Sequence, residues 1–344
     1  MTLIDLPSGS ALNPTIDPTF DDGGANPNFA SPSGLAFADG KVWVALGNLH
    51  GNFSPAGNSF LAAIDPSSLD VQAYELSASD GGTGCLNAST IVAMGTSLVV
   101  SCTADYFDGT VAVFDTTTQK VTQLLPLGGG PSALAIVGQT AYLGDSAGGG
   151  VMIADLGAGT VTVDSTSETA VCDTSNFNFV AGLAAGPSST DILATCFDSA
   201  AGSLLALDPA TGAALPNSAV DTASGPIAMT YVGTSGNIDT YAIVDAFGDQ
   251  VQLAQWPTGG QVFTNSVALP PGSSADDVAV SGDSLFVAGG SSDYVSQLSV
   301  AGHALSATAS LPAGSDPSRV TASDASTAWT SLLNTNQVAR VSFP

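Results

Sequence analysis

Short hydrophobic runs that alternate with small or polar residues recur along the whole chain, and residues 109–136 show the pattern most completely. Val111 and Val113 alternate with small residues in a run that ends at Asp115. A Thr-rich turn follows, then a second hydrophobic run over residues 121–127, which a Gly-Gly-Gly-Pro sequence ends. Period-two alternation bounded by Gly, Pro and Asp is typical of half-buried strands joined by tight turns. The pattern therefore predicts an all-β chain.

The same unit returns along the sequence, and in two other units the strand ends in Ile-Asp-Pro or Leu-Asp-Pro. Repeats of about 45 residues with four strands each predict one closed ring. The last unit begins at Pro317 and supplies one strand too few. Thr2–Leu6 is a short strand without a neighbour in sequence, so we expect it to complete this unit as its outer strand. The expected organisation is one domain, 1–344, with repeats over residues 32–344 and a top-face loop without strands over residues 8–31.

The repeating unit resembles the YVTN-type repeat of lactonase-like β-propellers. The repeat of that family has a hydrophobic strand ending in Asp, a Thr-rich turn, and a strand closed by Gly and Pro. Residues 109–136 follow it almost throughout, and the other units follow it loosely over nearly the whole chain. The resemblance implies a seven-bladed β-propeller of four-stranded antiparallel blades, closed by the N-terminal strand. Because such propellers serve many functions, the resemblance predicts the architecture and leaves the function open.

The charge of the chain excludes several classes of partner. Against 30 acidic residues stand only Lys41, Lys120, Arg319 and Arg340, which gives a formal net charge of −26. Binding to nucleic acid or to an anionic membrane depends on Lys and Arg, so we expect neither partner. No run of about 18 apolar residues occurs, so no transmembrane segment is predicted. Charged residues make up only 10% of the chain, a composition that suits an extracellular protein.

The four cysteines predict two disulfides in the propeller that the resemblance implies. Cys102 and Cys196 end strands at the same point of their repeats, and Cys85 and Cys172 precede the inner strands of those repeats. In a blade these points lie on one face, so the expected pairs are Cys85–Cys102 and Cys172–Cys196; the alternative is four buried free thiols. Disulfides indicate an oxidising compartment, and we expect an extracellular, periplasmic or surface-anchored protein. Met1 precedes a polar sequence at once, which we interpret as an expression start that replaces a removed leader.

The longest insertions are predicted to lie on one face of the ring. We call it the top face; it carries the links between blades and the turns between the second and third strands, whereas the bottom face carries the other turns. Residues 8–31, 78–86 and 166–178 are enlarged links, and residues 47–58 are an enlarged turn. The bottom turns are short. Since loops accept insertions where these carry function or do no harm, the top face is the expected working surface.

Carboxylates and amides recur in the top turns between second and third strands. The candidate ligand-binding residues are Asn48, His50, Asp105, Asp108, Asp145, Asp198, Asp245, Asp293 and Asn334. Around one axis they would form a ring near the channel mouth, and a hard cation such as Ca²⁺ takes about six to eight oxygen ligands. The alternative is that these side chains bond only their own turns. Asp17, Asp21 and Asp22 are a second candidate calcium site, with a solvated loop as the alternative.

Aromatic residues in or beside the top turns form a further candidate patch, for which ordinary loop packing is the alternative. The residues of this patch are Phe53, Phe60, Tyr106, Phe107, Phe197 and Tyr294.

The sequence offers no motif for catalysis. His50 and His303 are predicted on opposite faces, so they cannot form a metal or acid–base pair. Neither Arg319 nor Arg340 has an evident acidic partner, and no nucleophile elbow, P-loop or HExxH sequence occurs. The predicted function is a non-catalytic binding module whose acidic top face takes another protein, a basic peptide or a cation. A metal-dependent hydrolase of the lactonase type and a structural subunit of an extracellular assembly are the alternatives.

Overall fold

The strands form seven sheets around a central channel, which confirms the predicted seven-bladed β-propeller. The structure, a computed structural model, describes residues 2–6, 10–15, 29–78, 83–105, 107–173, 178–187, 190–256 and 262–344. The chain begins with β1 (Thr2–Leu6) and β2 (Ser10–Thr15). A 3-10 turn over Gly290–Ser292 lies in the sixth blade. No helix in the described part of the chain has the length and apolarity of a membrane span.

Six blades are antiparallel sheets of four strands that follow one another in the chain. Blade 1 has β3 (Pro32–Ala38), β4 (Lys41–Leu46), β5 (Phe60–Ile64) and β6 (Val71–Glu75). Blade 2 has β7 (Ala88–Met94), β8 (Ser97–Cys102), β9 (Thr110–Asp115) and β10 (Lys120–Pro126). Blade 3 has β11 (Pro131–Val137), β12 (Thr140–Asp145), β13 (Val151–Asp155) and β14 (Thr160–Val163). In each blade the first strand lines the channel and the fourth lies outermost.

The next three blades repeat this order. Blade 4 has β15 (Val180–Ala184), β16 (Ile192–Cys196), β17 (Ser203–Leu207) and a short β18 (Val220–Asp221). Blade 5 has β19 (Pro226–Ser235), β20 (Ile238–Asp245), β21 (Gln250–Trp256) and β22 (Phe263–Ala268). Blade 6 has β23 (Asp277–Ser281), β24 (Ser284–Ala288), β25 (Tyr294–Ser299) and β26 (Ala304–Ser310).

The seventh blade joins the two ends of the chain. It contains β27 (Pro317–Asp324), β28 (Thr327–Leu332) and β29 (Gln337–Ser342), with β1 beside β29 and β2 beside β1. Closure of the ring by the N-terminal strand is thus confirmed. Two details differ from the prediction. β1 runs parallel to β29 rather than antiparallel, and the segment 8–31, predicted to lack strands, contains β2.

The direction of β1 explains why β2 is present. Because β1 is parallel to β29, it starts at the top face, where Thr2 pairs with Gln337, and ends at the bottom face, where Leu6 pairs with Val341. The inner strand of blade 1 begins at the top face, so the chain must return there. β2 makes this return, antiparallel to β1. An antiparallel closing strand would have ended at the top face without a further strand.

Hydrophobic clusters lie between adjacent blades all around the ring. Between blades 1 and 2, the Trp43 ring packs against Tyr74 and Phe114 at centroid distances of 5.9 and 5.7 Å. Second and third strands such as β4 and β5 are almost wholly buried, whereas outer strands such as β6 keep exposed positions. This explains why the former are near-continuous hydrophobic runs and the latter alternate.

Aspartates close the short bottom turns. The Oδ1 atom of Asp65 accepts hydrogen bonds from the backbone N–H groups of Ser67 (2.8 Å) and Ser68 (3.0 Å). Asp208 makes the same two bonds within its own turn. Because these bonds favour the charged carboxylate, they lower the pKa of both aspartates. The Ile-Asp-Pro and Leu-Asp-Pro sequences are therefore turn-closing elements.

Both predicted disulfides are present. Cys85–Cys102 joins the link between blades 1 and 2 to the end of β8, and Cys172–Cys196 joins the link between blades 3 and 4 to the end of β16. In each pair the Cα atoms are 5.4 Å apart. Two disulfides are consistent with an extracellular or periplasmic protein.

Candidate functional site on the top face

The central channel has a volume of about 590 Å³ and is lined by the inner strands of all seven blades. Its wall is mostly small or aliphatic, with residues such as Ala133, Ala181 and Ala228. One side is charged, because Asp277 of blade 6 and Arg319 of blade 7 line the channel next to each other. The channel wall thus mixes apolar residues with polar ones such as Thr90, Ser132 and Thr321, and its charged side chains lie on one side.

The structure places Arg319 beside two acidic residues, Asp276 and Asp277, that were not evident as its partners in the sequence. Its guanidinium donates to the backbone carbonyls of Asp276 (3.4 Å) and Ser318 (3.3 Å). Burial raises the pKa of Asp276 to about 6 and also raises the pKa of Asp277, while the attraction of Arg319 opposes both shifts. The Oδ2 atom of Asp277 accepts a hydrogen bond from the N–H of Val320 (2.9 Å). These contacts join blades 6 and 7 near the start of β27.

Two of the predicted ligands, Asp145 and Asp245, occupy a buried position at the end of the second strand. This position pairs with the first residue of the inner strand. In other blades it holds Leu46, Cys102, Cys196 and Leu332. Asp145 and Asp245 are therefore counterparts of two disulfide cysteines, whereas Asp105 and Asp198 lie farther along, in the turns.

Asp145 belongs to a buried carboxyl pair that the sequence reasoning missed. It is 2% exposed, and its Oδ1 accepts hydrogen bonds from the N–H groups of Gly130 (3.2 Å) and Ala147 (3.0 Å). A Cβ atom on Gly148 would lie 2.7 Å from Asp145 Oδ2 and would overlap the Glu168 carboxyl, so both acids reach the same glycine. Burial, and then the charge of Asp145, raise the pKa of Glu168 to about 8.

One signal in the sequence could have pointed to this pair. Glu168 is one of only two glutamates among 30 acidic residues, and it lies in the enlarged link over residues 166–178. Both oxygens of its carboxyl are buried in the structure.

Asp245 is buried without such a partner. It is 0% exposed, and neither of its carboxyl oxygens has a hydrogen-bond partner among the described residues. Burial raises the pKa of Asp245 to about 7, although the nearby Gln250 side chain opposes the rise. At neutral pH this carboxyl is therefore partly protonated, and it contributes less negative charge than the turn aspartates do.

Several other predicted ligands bond to the backbone of the top turns and links. The carboxylate of Asp198 accepts hydrogen bonds from the N–H of Ala200 (2.7 Å) and from the side-chain amide of Asn178 (3.0 Å). Asp293 accepts bonds of 2.6 and 3.0 Å from two N–H groups of the next link. Asn48 is buried and donates to a carbonyl of its own turn at 2.8 Å. For these residues turn chemistry is present in the structure.

The remaining predicted ligands are more open. Asp105 and Asp108 line a second cavity, of about 480 Å³, above blade 2. Asn334 is exposed on blade 7, and His50 is half-buried in the turn of blade 1. None of the nine predicted ligands is among the described residues that line the channel. Over the described ranges, no group of three or more His, Cys, Asp and Glu side chains could hold a metal ion.

The second candidate calcium site, Asp17, Asp21 and Asp22, lies outside the described residues.

The two faces differ in their balance of charge. Lys41 and Lys120 lie beside bottom turns, and Arg340 lies near the bottom end of β29, where it donates to the carbonyl of Pro66 (3.0 Å). Arg319 alone lies towards the top, and its side chain lines the channel. In the described part of the chain, the acidic residues of the top turns, links and strand ends are Glu75, Asp105, Asp108, Asp145, Asp164, Glu168, Asp173, Asp198, Asp221, Asp245, Asp249, Asp276, Asp277, Asp293 and Asp316. The bottom turns and strand ends also carry acidic residues, such as Asp39, Asp65, Asp115, Asp155 and Asp208.

The most exposed aromatic side chains also belong to the top face. Phe53, Phe107 and Phe247 are 60%, 65% and 58% exposed, and each lies in a turn between a second and a third strand. Phe247 is the outer member of a row of three rings. The centroids of Phe179 and Phe197 are 5.4 Å apart, and those of Phe197 and Phe247 are 5.9 Å apart.

The predicted aromatic patch is therefore distributed differently from the expectation. Phe60 is half-buried in β5, and Tyr294 is buried and donates to the carbonyl of Pro270 (3.1 Å). Tyr106 lies outside the described residues. The sequence reasoning missed Phe179 and Phe247, because they are far apart in the chain and belong to different blades.

The chain matches no protein-family model and no curated protein, but its fold is similar to solved structures. Hydrazine synthase from Kuenenia stuttgartiensis matches over 94% of this chain and 98% of that chain, at 15% identity and a TM-score of 0.69. A candidate 6-phosphogluconolactonase from Bacteroides uniformis matches over 85% of this chain and 89% of that chain, at 15% identity and a TM-score of 0.64. A chain of the mitotic checkpoint complex matches over 93% of this chain and 96% of that chain, at 14% identity and a TM-score of 0.62.

At these identities the similarity shows the propeller fold alone. A lactonase-like protein is among the similar structures, as the resemblance implies. Membership of the YVTN repeat family remains a prediction. The other two similar structures are named for an enzyme and for a protein complex. Since one fold serves such different functions, the function has to be argued from the top face itself.

Proposed function

We propose that the protein is a non-catalytic binding module of the cell exterior, and that its top face takes a positively charged partner. The partner is another protein or a basic peptide. The observation that supports this most is the difference in charge between the faces. Both faces carry acidic side chains, but three of the four basic residues belong to the bottom face, so the top face is the more negative of the two.

The ionisation of the turn aspartates supports the proposal. A hydrogen bond from the backbone N–H of Ala200 lowers the pKa of Asp198, and one from the N–H of Asp316 lowers the pKa of Asp293. These carboxylates therefore stay charged at neutral pH. Charges of one sign on one face produce a potential that steers an oppositely charged partner towards it, and salt weakens that attraction.

The proposed location follows from the cysteines. Cys85–Cys102 and Cys172–Cys196 persist in oxidising compartments, so we place the protein outside the cytosol, either secreted, periplasmic or surface-anchored.

A hydrolase is the second candidate, and a single group of residues favours it. Arg319 and Asp277 line the channel beside Asp276, whose raised pKa of about 6 suits proton transfer. The similar lactonase-like structure has the same fold. If the wild-type protein hydrolyses a lactone and the Arg319→Ala variant does not, this candidate is favoured over the binding module.

A comparison of two triple variants tests the binding proposal. The top variant carries Asp105→Asn, Asp108→Asn and Asp198→Asn; the matched bottom variant carries Asp115→Asn, Asp155→Asn and Asp208→Asn. Each removes three negative charges from turns and leaves an amide oxygen to accept turn bonds. Fluorescence anisotropy with a labelled lysine-rich peptide at low ionic strength measures affinity.

We expect the top variant to lose about tenfold in affinity and the bottom variant to lose much less. Equal losses would mean that the peptide senses only the net charge of −26, and the proposed face would be wrong. A Ca²⁺ titration by calorimetry is the parallel arm. If the wild-type protein binds Ca²⁺ saturably but does not bind the peptide, and the top variant no longer binds Ca²⁺, the partner is a cation rather than a protein.

A further inference from the structure

Three phenylalanine rings form a continuous row across the top of blades 4 and 5. Phe179 and Phe197 are stacked, with an interplanar angle of 19° and a centroid distance of 5.4 Å. Phe247 meets Phe197 at 60° and 5.9 Å. The two inner rings are half-buried, whereas Phe247 is 58% exposed. We call this row the phenylalanine ladder.

The backbone fixes the ladder in place. Phe179 directly precedes the inner strand β15 and Phe197 directly follows β16, and the N–H of Phe197 donates to the carbonyl of Phe179 (2.9 Å). The ring of Phe247 lies against Gly225, where an added Cβ would come within 2.5 Å of the ring. Gly225 has a φ of +73°, so its lack of a side chain serves both the turn and the ring.

A charged carboxylate adjoins the ladder. Asp198 follows Phe197 in the chain, and its backbone carbonyl accepts a hydrogen bond from the N–H of Gly225 (2.8 Å), the residue against which Phe247 packs. The side-chain amide of Asn178 and the N–H of Ala200 hold its two oxygens in place. Because a carboxylate has about four acceptor sites, Asp198 can accept further donors from outside.

An exposed aromatic ring beside a fixed carboxylate suits a planar cation. The guanidinium of arginine stacks on aromatic faces and offers a fork of N–H donors to a carboxylate, whereas the lysine ammonium is a strongly hydrated point charge. Long-range attraction to an acidic surface acts alike on both residues, whereas stacking on a ring favours the arginine guanidinium. The ladder therefore adds a preference that charge alone does not provide.

We infer that the phenylalanine ladder, together with Asp198, binds the guanidinium of an arginine in a basic segment of a partner protein. The inference rests on the proposed function, because the acidic top face brings the segment to the ladder. It goes beyond that function by naming the residue type that is recognised and the blades that recognise it.

Two labelled peptides of equal charge, hexa-arginine and hexa-lysine, test the inference by fluorescence anisotropy at low ionic strength. The wild-type protein should bind hexa-arginine about threefold more tightly or better, the difference that one exposed cation–π contact provides. Phe247→Leu keeps an apolar side chain but removes the ring, and it should remove most of the preference for hexa-arginine. Phe247→Tyr keeps the ring and should keep the preference. Thermal melts show that each variant folds.

The outcomes separate this inference from the proposed function. If both peptides bind the wild-type protein equally, or if Phe247→Leu retains the preference for arginine, the ladder is not the site and the acidic-face function still stands. If Phe247→Tyr loses the preference together with Phe247→Leu, stacking is not the cause and the inference is wrong. If neither peptide binds, the inference and the proposed function both fail.

Discussion

At the scale of single residues, the carboxyl groups fall into two kinds with opposite effects of pH on stability. Hydrogen bonds from the backbone lower the pKa of turn aspartates such as Asp65 and Asp198. The stability that these aspartates contribute is present above their pKa in the unfolded chain and is lost as the pH falls through their pKa in the folded protein. Burial raises the pKa of Glu168, Asp245 and Asp276. The stability that these acids contribute is full below their pKa in the unfolded chain and declines as the pH rises through their pKa in the folded protein.

The wild-type protein should accordingly be most stable near about pH 5 and lose stability towards pH 8. Replacing Glu168 by Gln removes one buried acid that must ionise in this range. At pH 8 we expect the variant to be more stable than the wild type by about 1 kcal/mol, after allowance for its partial exposure. Urea unfolding at pH 5, 6.5 and 8 measures the difference.

Glu75→Gln is the matched control, because Glu75 is the other glutamate of the chain and is exposed. This variant should show the same pH dependence of the free energy of unfolding as the wild type. The same loss of stability between pH 5 and pH 8 in the wild type and in Glu168→Gln would show that the carboxyl pair does not carry the effect.

The sequence could show that aspartates recur near the top turns, but it could not separate Asp145 from Asp198. Both follow a hydrophobic strand. Asp145 is the last residue of β12, whereas Asp198 lies two residues beyond the end of β16. Pairing with the neighbouring inner strand decides where the second strand ends, and that pairing is not written in the local pattern. The ring of ligands at the channel mouth remains a prediction for the turn residues.

At the scale of elements, the strand end at Asp115 and the start of the last unit at Pro317 could be predicted, because alternation and turn residues are local signals. β2 could not be predicted in this way. Its sequence, SALNPT, contains Asn and Pro and has no strand period. It becomes a strand because the parallel β1 ends at the bottom face and offers a free edge for the returning chain. The cause is the topology of closure, which no short segment reveals.

The disulfides are elements whose energetic contribution can be measured one at a time. Cys172 and Cys196 are 24 residues apart, and closing a loop of that length stabilises a fold by about 3 kcal/mol in the chain-entropy model. The double variant Cys172→Ala, Cys196→Ala should lose about that much in urea unfolding. Peptide mapping without reduction should find the other pair, Cys85–Cys102, intact in this variant. An unchanged unfolding midpoint would mean that the link is held by its other contacts.

At the scale of the whole molecule, the ring depends on a strand from the far end of the chain. Deleting residues 1–6 removes β1 and exposes the edge of β29, which pairs with β1 from Gln337 to Val341. We expect a lower melting temperature and aggregation, because an uncovered edge strand pairs with other chains. Ala11→Pro is the control, since it disturbs only the outermost β2. Equal effects of both changes would contradict the importance of β1.

The net charge of −26 belongs to the whole molecule as well. Like charges repel in the compact state, and salt screens them. Adding about 0.5 M NaCl should raise the melting temperature at pH 8 by about 2 °C or more, because salt at this concentration screens the surface charges. At pH 5, where buried acids are protonated, the rise should be smaller. A melting temperature that falls with salt at pH 8 would show that attractive ion pairs outweigh the repulsion.

The parallel closing strand also determines how the molecule can be held. Thr2 begins β1 at the top face, whereas Phe343 bonds to Ser326 at the bottom face (2.8 Å), so the two ends leave the ring in opposite directions. Molecules immobilised on a sensor through the C-terminus would turn their acidic face towards solution, and those immobilised through the N-terminus would turn it towards the surface. The first orientation should capture more basic peptide per molecule than the second.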